Sequence, residues 1–276
     1  MQVGFIGFGE VASRLSIGLI KNGITVYTCL DGRSVSTVEN ARRSGVKIYK
    51  SYKELAEKSD ILISSVVPSM AFEVSKTVST HSKGIYVDMN NVSPDTVGKT
   101  LNIIENGKTV DAAIIGSVAK RGMNVKIIAS GPFADEFSKL NDYGMNITVV
   151  GTKNGDASAI KLLRSAYTKG VSALLLETLY HGYKLGIDKE VLKYISLTEG
   201  EDFLKSANSR MVSAGFHAKR RSEEMEEVVY MLSKYQDPVM AKATSEFFKY
   251  LSENLKKSVS RSENYTDVYK LLYNCK

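Results

Sequence analysis

The sequence predicts an α/β domain followed by an all-α domain with a long central helix, and three observations predict it. Before residue 151, short β-branched apolar runs alternate with amphipathic stretches. After Gly155 no convincing strand appears, and apolar residues recur at helical spacing. Between the halves lies Gly151-Thr152-Lys153-Asn154-Gly155, a turn-rich connector. Strand-helix alternation implies a parallel sheet with helices on both faces. The boundary is accordingly set between residues 1–153 and 154–276. The 276 residues suffice for two ordinary domains of roughly 150 each.

The elements follow in order. Strands are predicted over Val3–Ile6, Ile24–Cys29, Val46–Ile48, Ile61–Val67, Ile85–Asp88, Thr109–Ala113, Val125–Ala129 and Ile147–Val150. Helices are predicted over Glu10–Asn22, Ser36–Ser44 and Tyr52–Lys58, with others between most of the later strands. The run Ile61–Val67 is apolar without alternation, as a strand covered on both faces requires. In the second half Ile160, Leu163, Tyr167, Val171, Leu174 and Thr178 keep a helical period. They lie in a single predicted helix, Ala157–Leu185, about 43 Å long at 1.5 Å per residue. Gly186 suits its C-terminal cap. Further helices are predicted over Lys189–Leu197, Glu201–Ser213, Ala218–Lys234 and Pro238–Asn254.

Composition narrows the function classes. With 43% apolar and 24% charged residues the chain is neither disordered nor fibrous. Its longest uncharged apolar stretches, Ile61–Val67 and Val171–Leu176, fall far short of the roughly 18–20 residues of a membrane span. The start Met1-Gln2-Val3-Gly4 lacks a basic leader, so a soluble, cytoplasmic protein is expected, with no membrane partner. Two cysteines, Cys29 and Cys275, and three histidines, His81, His181 and His217, show no metal-ligand spacing, so no metal is expected. The net charge of +7 fits nucleic acid or a small anion. With no Trp and no repeated basic-aromatic module, the small-anion reading is preferred.

Gly7-Phe8-Gly9-Glu10-Val11-Ala12 is a G-x-G-x-x-A sequence directly after the first predicted strand and at the start of a helix. Gly7 permits a tight turn, Gly9 a close backbone approach, and Ala12 close packing of helix on strand. The helix N-terminus adds amide donors and a positive dipole end. Within a strand-helix-strand unit ending at Cys29, this marks a Rossmann-type dinucleotide-binding domain. After the second strand, Arg33, Ser34 and Ser36 offer a guanidinium fork and hydroxyls that suit a 2′-phosphate, hence NADP. Asp31 argues for NAD if it faces the ribose, and a solvated polar turn is the bland alternative.

Further segments complete a pattern: Val66-Val67-Pro68, Asp88-Met89-Asn90-Asn91-Val92-Ser93-Pro94, Asp111-Ala112-Ala113-Ile114-Ile115-Gly116-Ser117, and Lys161 early in the long helix. In this order they resemble the β-hydroxyacid dehydrogenase family, which includes 3-hydroxyisobutyrate and 6-phosphogluconate dehydrogenases. The resemblance covers residues 1 to about 187; the remainder resembles a phosphogluconate-dehydrogenase-like helical domain of a divergent branch. It implies hydride transfer between a nicotinamide and a small carboxylic acid's carbinol carbon. Val67 and Pro68 would then pack near the nicotinamide, while Asn90, Asn91, Ser93, Gly116 and Ser117 would bind substrate. Here Asn90-Asn91 replaces the family's Ser-Thr pair, and Ile115-Gly116-Ser117 its Ser-Gly-Gly.

Lys161 is the implied acid-base residue, with Ser165, one turn on, in place of the family's Asn. Without the resemblance Lys161 would be read as a surface lysine. In the basic stretch between Asp202 and Glu223, Arg221 and His217 are candidate contacts for a distal anion, with Arg220 pairing Glu224. A solvated charged face is the alternative there. The leading reading is an NADP-dependent oxidoreductase acting on a small anionic hydroxy acid or its carbonyl counterpart. Imine reduction and a non-catalytic dinucleotide sensor are carried beside it. The long helix is too apolar to stand exposed, so a homodimer through the helical domain is expected.

Overall fold

The computed structural model describes residues 1–200, 202–254 and 264–272. Among them, eight strands form one sheet in the order β3-β2-β1-β4-β5-β6-β7-β8. These are β1 (Gln2–Ile6), β2 (Thr25–Cys29), β3 (Lys47–Tyr49), β4 (Ile61–Ser64), β5 (Ile85–Asp88), β6 (Thr109–Ile115), β7 (Lys126–Ser130) and β8 (Asn146–Gly151). The helices α1 (Glu10–Lys21), α2 (Val35–Ser44), α3 (Tyr52–Lys58), α4 (Ala71–Val78), α5 (Pro94–Asn102), α6 (Val118–Arg121) and α7 (Ala134–Ser138) alternate with the strands. One sheet face is closed by apolar residues of α1, such as Leu15 and Leu19, with Phe137 of α7. The other is closed by Leu55 of α3, Val74 of α4 and Leu101 of α5.

Two expectations about the sheet need correcting. It is not wholly parallel: β7 runs antiparallel to β6, while β8 is parallel to β7. Residues 116–125 are too few for the dozen or more of a parallel crossover, so the chain reverses through the four-residue α6 instead. Nor does β4 reach Val67. It stops at Ser64, and Pro68 opens a short 3₁₀ turn, Pro68–Met70. Proline has no N–H for a ladder, and it holds the preceding Val67 extended.

The long helix is α8 (Asp156–Lys184), followed by α9 (Asp188–Glu199), α10 (Phe203–Phe216), α11 (Ala218–Leu232), α12 (Val239–Asn254) and α13 (Thr266–Leu272). The predicted start of α10 at Glu201 lies outside the described residues. The chain divides into two compact units, Met1–Lys161 and Leu162–Lys276. The first extends beyond the turn-rich connector because the head of α8 hydrogen-bonds to the sheet. In the second unit, Leu176 and Leu179 of α8, Met211 of α10, Met225 of α11 and Phe248 of α12 share one core.

That second core contains a charge. Lys169 of α8 is 7% exposed and pairs with Glu224 of α11 at 2.8 Å. Burial pushes its amine below the usual lysine range, and Glu224 opposes the shift. Glu224 also stands 3.8 Å from Arg220, the partner expected from helical spacing, but the shorter contact goes to Lys169. Removing one member of a buried pair leaves an uncompensated charge, which typically costs about 3–5 kcal/mol. Glu224→Gln is therefore expected to lower stability by about 3 kcal/mol in urea denaturation, much of it restored by adding Lys169→Met. A loss under about 0.5 kcal/mol, the level of an ordinary surface change, would contradict the buried pair.

Candidate functional site

The strand order places a crevice. From β1 the chain proceeds through β2 and β3 to one side, then returns to lay β4 on the other. Where order reverses, the loops leaving the carboxyl ends of β1 and β4 diverge, and ligands of open α/β sheets bind there. Gly7 lies at that point with φ +81°, and a Cβ on it would stand 2.4 Å from the Ser65 carbonyl oxygen. Both conformation and space demand glycine.

Gly9 precedes α1, whose first turn has no side-chain cap, and a Cβ there would meet nothing within 4 Å. The head of the helix is thus open, with free space in front of it. Ala12 beneath is fully buried against the sheet. Uncapped amides, a positive dipole end and this space fit a pyrophosphate. Of the neighbours assigned to the same task, Glu10 is exposed and Val11 half-buried. Phe8 is 1% exposed and packs edge-on against Phe5, so its side chain belongs to the core.

The turn after β2 is organised by an aromatic residue the sequence analysis did not single out. Arg33 Nε donates to the Tyr52 hydroxyl at 2.6 Å, and the guanidinium lies 5.4 Å from that ring. Burial pushes the Tyr52 phenol up, with Arg33 opposing. Ser34 caps α2 by accepting from the Thr37 amide, and its Oγ is 3.0 Å from the Ser36 hydroxyl. Arg33 is half-buried, whereas Asp31 is exposed. The cation is held in place beside two hydroxyls and a helix head, a chemistry that fits a phosphate monoester.

Across the carboxyl side of the sheet runs a buried polar row. Ser64 of β4, Asp88 of β5, Asp111 of β6 and Ser130 of β7 stand in matching register, each 0% exposed. Asp111 accepts from the Gly155 amide at 3.1 Å, the Ser158 amide at 2.9 Å and the Ser158 hydroxyl at 2.7 Å. The Ser130 hydroxyl adds a longer contact at 3.4 Å and itself accepts from the Ala157 amide. Gly155 also lies against Pro94, so the head of α8 sits beside the loop before α5. Hydrogen bonds to a charged acceptor contribute about 1.5–3 kcal/mol each. Several are needed to offset the burial of a carboxylate. Burial still pushes the Asp111 carboxyl up, with these donors opposing.

Asp88 has fewer donors. Its Oδ1 accepts from the Asn90 amide at 2.9 Å, and its Oδ2 has no partner among the described residues. Burial pushes its carboxyl up to about 7, with Asp111 adding to the rise. Neither aspartate was singled out from sequence as functional. The available signal was a carboxylate in an otherwise largely apolar strand, at the end of β5 for Asp88 and within β6 for Asp111.

The assigned substrate residues divide. Asn90, expected to face substrate, is buried and its amide serves the fold: Nδ2 donates to Ser64 Oγ at 3.0 Å and Oδ1 accepts from the Val66 amide at 2.7 Å. Ser93 is 1% exposed and caps α5, accepting from the Thr96 amide. Asn91 and Lys161 are half-buried; Gly116, Ser117, Val67 and Pro68 are exposed. In the second unit Ser165 is half-buried, one turn after Lys161 on α8. His217 is half-buried between α10 and α11, in an open depression with Lys219 and Arg220. Arg221 donates from Nη2 to Ser213 Oγ at 3.0 Å and lies 5.3 Å from the Phe248 ring. Its Nη1 is buried with no acceptor among the described residues, and burial pulls its pKa down to about 10.

Comparison with known proteins places these features. Residues 2–92 match the model for NADP oxidoreductase, coenzyme F420-dependent, and residues 183–251 a domain of unknown function, DUF1932. The uncharacterised 28.5 kDa protein in the 7S RNA 5′ region of Methanothermus fervidus is 45% identical over 92% of this chain and 100% of its own length. A 2-(hydroxymethyl)glutarate dehydrogenase of Eubacterium barkeri is 27% identical over 71% of this chain and 68% of its own. A solved conserved protein of unknown function, described as structurally similar to 3-hydroxyacid dehydrogenases, is 50% identical, with TM-score 0.84 over 92% of this chain and 97% of that one. The 3-hydroxyisobutyrate dehydrogenase of Mycobacterium tuberculosis shares the fold, with TM-score 0.79 at 13% identity over 98% of each chain. With a relative at 45% identity along its whole length, a dinucleotide-domain match and this fold, the chain belongs to the β-hydroxyacid dehydrogenase family, as a divergent member.

Proposed function

We propose that this protein is an NADP-dependent oxidoreductase acting on a small anionic hydroxy acid or its carbonyl counterpart. The observation that carries the proposal is the crevice at the β1–β4 reversal, where an uncapped helix head, a glycine no other residue can replace, and the Tyr52-held Arg33 lie along one sheet edge. When bound, the nicotinamide supplies or accepts the hydride.

The chain's own residues do the rest. The amides after Gly7 and Gly9 take the pyrophosphate, and Arg33 with Ser34 and Ser36 takes the 2′-phosphate. Val67 and Pro68 are the apolar contacts for the nicotinamide end. Asn91, Gly116 and Ser117 take the substrate carboxylate, while Asn90 and Ser93 hold the loop that carries Asn91. Lys161 takes the hydroxyl proton in oxidation and returns it in reduction. Ser165 is a second hydrogen-bond partner on the same helix. In the second unit His217 and Arg221 are the contacts for an anionic group, supported by the buried guanidinium nitrogen that has no acceptor among the described residues.

The protein is further proposed to be a homodimer. On α8, Ile160, Leu163, Tyr167 and Leu174 are 43%, 52%, 67% and 63% exposed at helical spacing, an apolar stripe that a second copy would cover.

Lys161→Met is expected to bind NADPH like the wild type yet lose at least about 100-fold in single-turnover hydride transfer. Unchanged turnover would remove Lys161 from the chemistry. Tight NADPH binding by the wild type, with no hydride transfer from NADPH to any keto acid and none from any hydroxy acid to NADP+, would favour the sensor reading instead. For assembly, light scattering is expected to give twice the 30.4 kDa chain mass, and the chain mass itself in a Tyr167→Glu/Leu174→Glu variant. A stable wild-type monomer at micromolar concentration would contradict the dimer.

A further inference from the structure

The polar row contains two carboxyls that cannot both be charged cheaply. Asp88 and Asp111 stand opposite each other on adjacent parallel strands, and both are fully buried. Like charges at neighbouring positions in a dry interior strongly disfavour double ionisation. The donors decide which one carries the charge. Three contacts from Gly155 and Ser158, and a longer one from Ser130, converge on Asp111; Asp88 is reached by Asn90 alone, and its Oδ2 has no partner among the described residues. The charge belongs on Asp111, where it also faces the positive end of α8. A carboxylic acid at Asp88 is the cheaper occupant of its site, because an unpartnered hydroxyl costs far less than an unpartnered charge.

What Asp111 holds is the first turn of α8, and Lys161 lies on the same helix less than one turn beyond Ser158. We propose that Asp88 and Asp111 form a one-proton pair that positions Lys161, with Asp111 carrying the charge that docks the head of α8 and Asp88 keeping the proton that leaves the pair singly charged. Asp111 is thus a positioning residue, and this role rests on the assignment of Lys161 to proton transfer. Asp88 also ties down a second part of the crevice, since its Oδ1 accepts from the Asn90 amide and the Asn90 side chain holds Val66. The titratable and charged groups on the surrounding elements are Tyr86 on β5, Asp111 on β6, Asp95 and Lys99 on α5, and Asp156 and Lys161 at the head of α8; β4 brings only the Ser64 hydroxyl.

The pH dependence has a definite sign. Asp88 ionises at about 7 in the folded chain, above its ordinary 3.8. Between these values the unfolded chain loses the proton and the folded chain keeps it, so this residue's contribution to stability falls as pH rises from about 4 to 7 and then levels off. Asp88→Asn removes that slope.

The test is carboxyl-carbon NMR on the full chain labelled at aspartate, joined to two readouts at α8. One buried carboxyl is expected to titrate near neutral pH and to vanish in Asp88→Asn, the other to be ionised already at lower pH. Both ionising together below about pH 5, as ordinary carboxylates do, would overturn the pair. In Asp111→Asn, amide exchange over Ala157–Lys161 is expected to be about tenfold faster, and acylation of the Lys161 amine by a water-soluble ester to change severalfold. Should that variant fail to fold, Ser158→Ala keeps both carboxyls and removes one donor, and a smaller change in the same direction is expected. An unaltered Lys161 in the folded variant would overturn the positioning role. These readouts need no substrate, so failure to find hydride transfer would defeat the oxidoreductase reading and leave the pair's own test intact.

Discussion

A carboxylate at the middle of β6 has no water to turn to, and the donors at the head of α8 stand in water's place. Asp111 accepts from Gly155 and from both the amide and hydroxyl of Ser158, and its strand neighbour Ser130 takes the Ala157 amide. The attraction runs both ways: the carboxylate needs donors, and the first turn of a helix has donors to spare. The start of the long helix is therefore fastened to the sheet, and with it the segment that carries Lys161. This connection carries the first compact unit beyond the connector and into α8.

The row extends the same logic sideways. From Asp111 it passes to Asp88, then through Asn90 to Ser64 and to the Val66 amide. Three loops that would otherwise wander are tied into one edge: the turn after β4, the loop after β5 and the head of α8. The glycine loop joins them at Gly7, which has no room for a side chain against Ser65. Local order at this edge comes from buried polar contacts, while the apolar clusters on the two sheet faces set the layers. Interior polar groups are costly unless satisfied, and this edge shows both outcomes in neighbouring residues, Asp111 satisfied and Asp88 short of a partner among the described residues.

Periodicity carried much of the fold in sequence. The strand Ile85–Asp88 and the helix Tyr52–Lys58 have the bounds their patterns imply, because a change of hydrophobic period is a local signal. Strand direction is not local: an apolar run looks the same either way up, so the sequence pattern implied a parallel sheet and the reversal at β7 shows only in the strand pairing. The phosphate loop was legible because backbone geometry demands glycine at particular places. Asn90 and Ser93 were harder, since an amide or hydroxyl has one chemistry whether it faces a ligand or ties down a turn. Asp88, Asp111 and Tyr52 escaped for a further reason. Each acts through a partner 19 to 47 residues away or on the next strand, and such pairings exist only after the sheet forms.

In the function proposed above, this edge binds a dinucleotide whose 2′-phosphate rests on Arg33. Calorimetric titration of the protein with NADPH and with NADH, repeated on Arg33→Ala, is the decisive measurement. The predicted result is a clear NADPH preference that collapses in the variant while NADH binding stays as it was. Equal or tighter binding of NADH by the wild type would contradict it, assigning the exposed Asp31 to the ribose and leaving Arg33 to its contact with Tyr52.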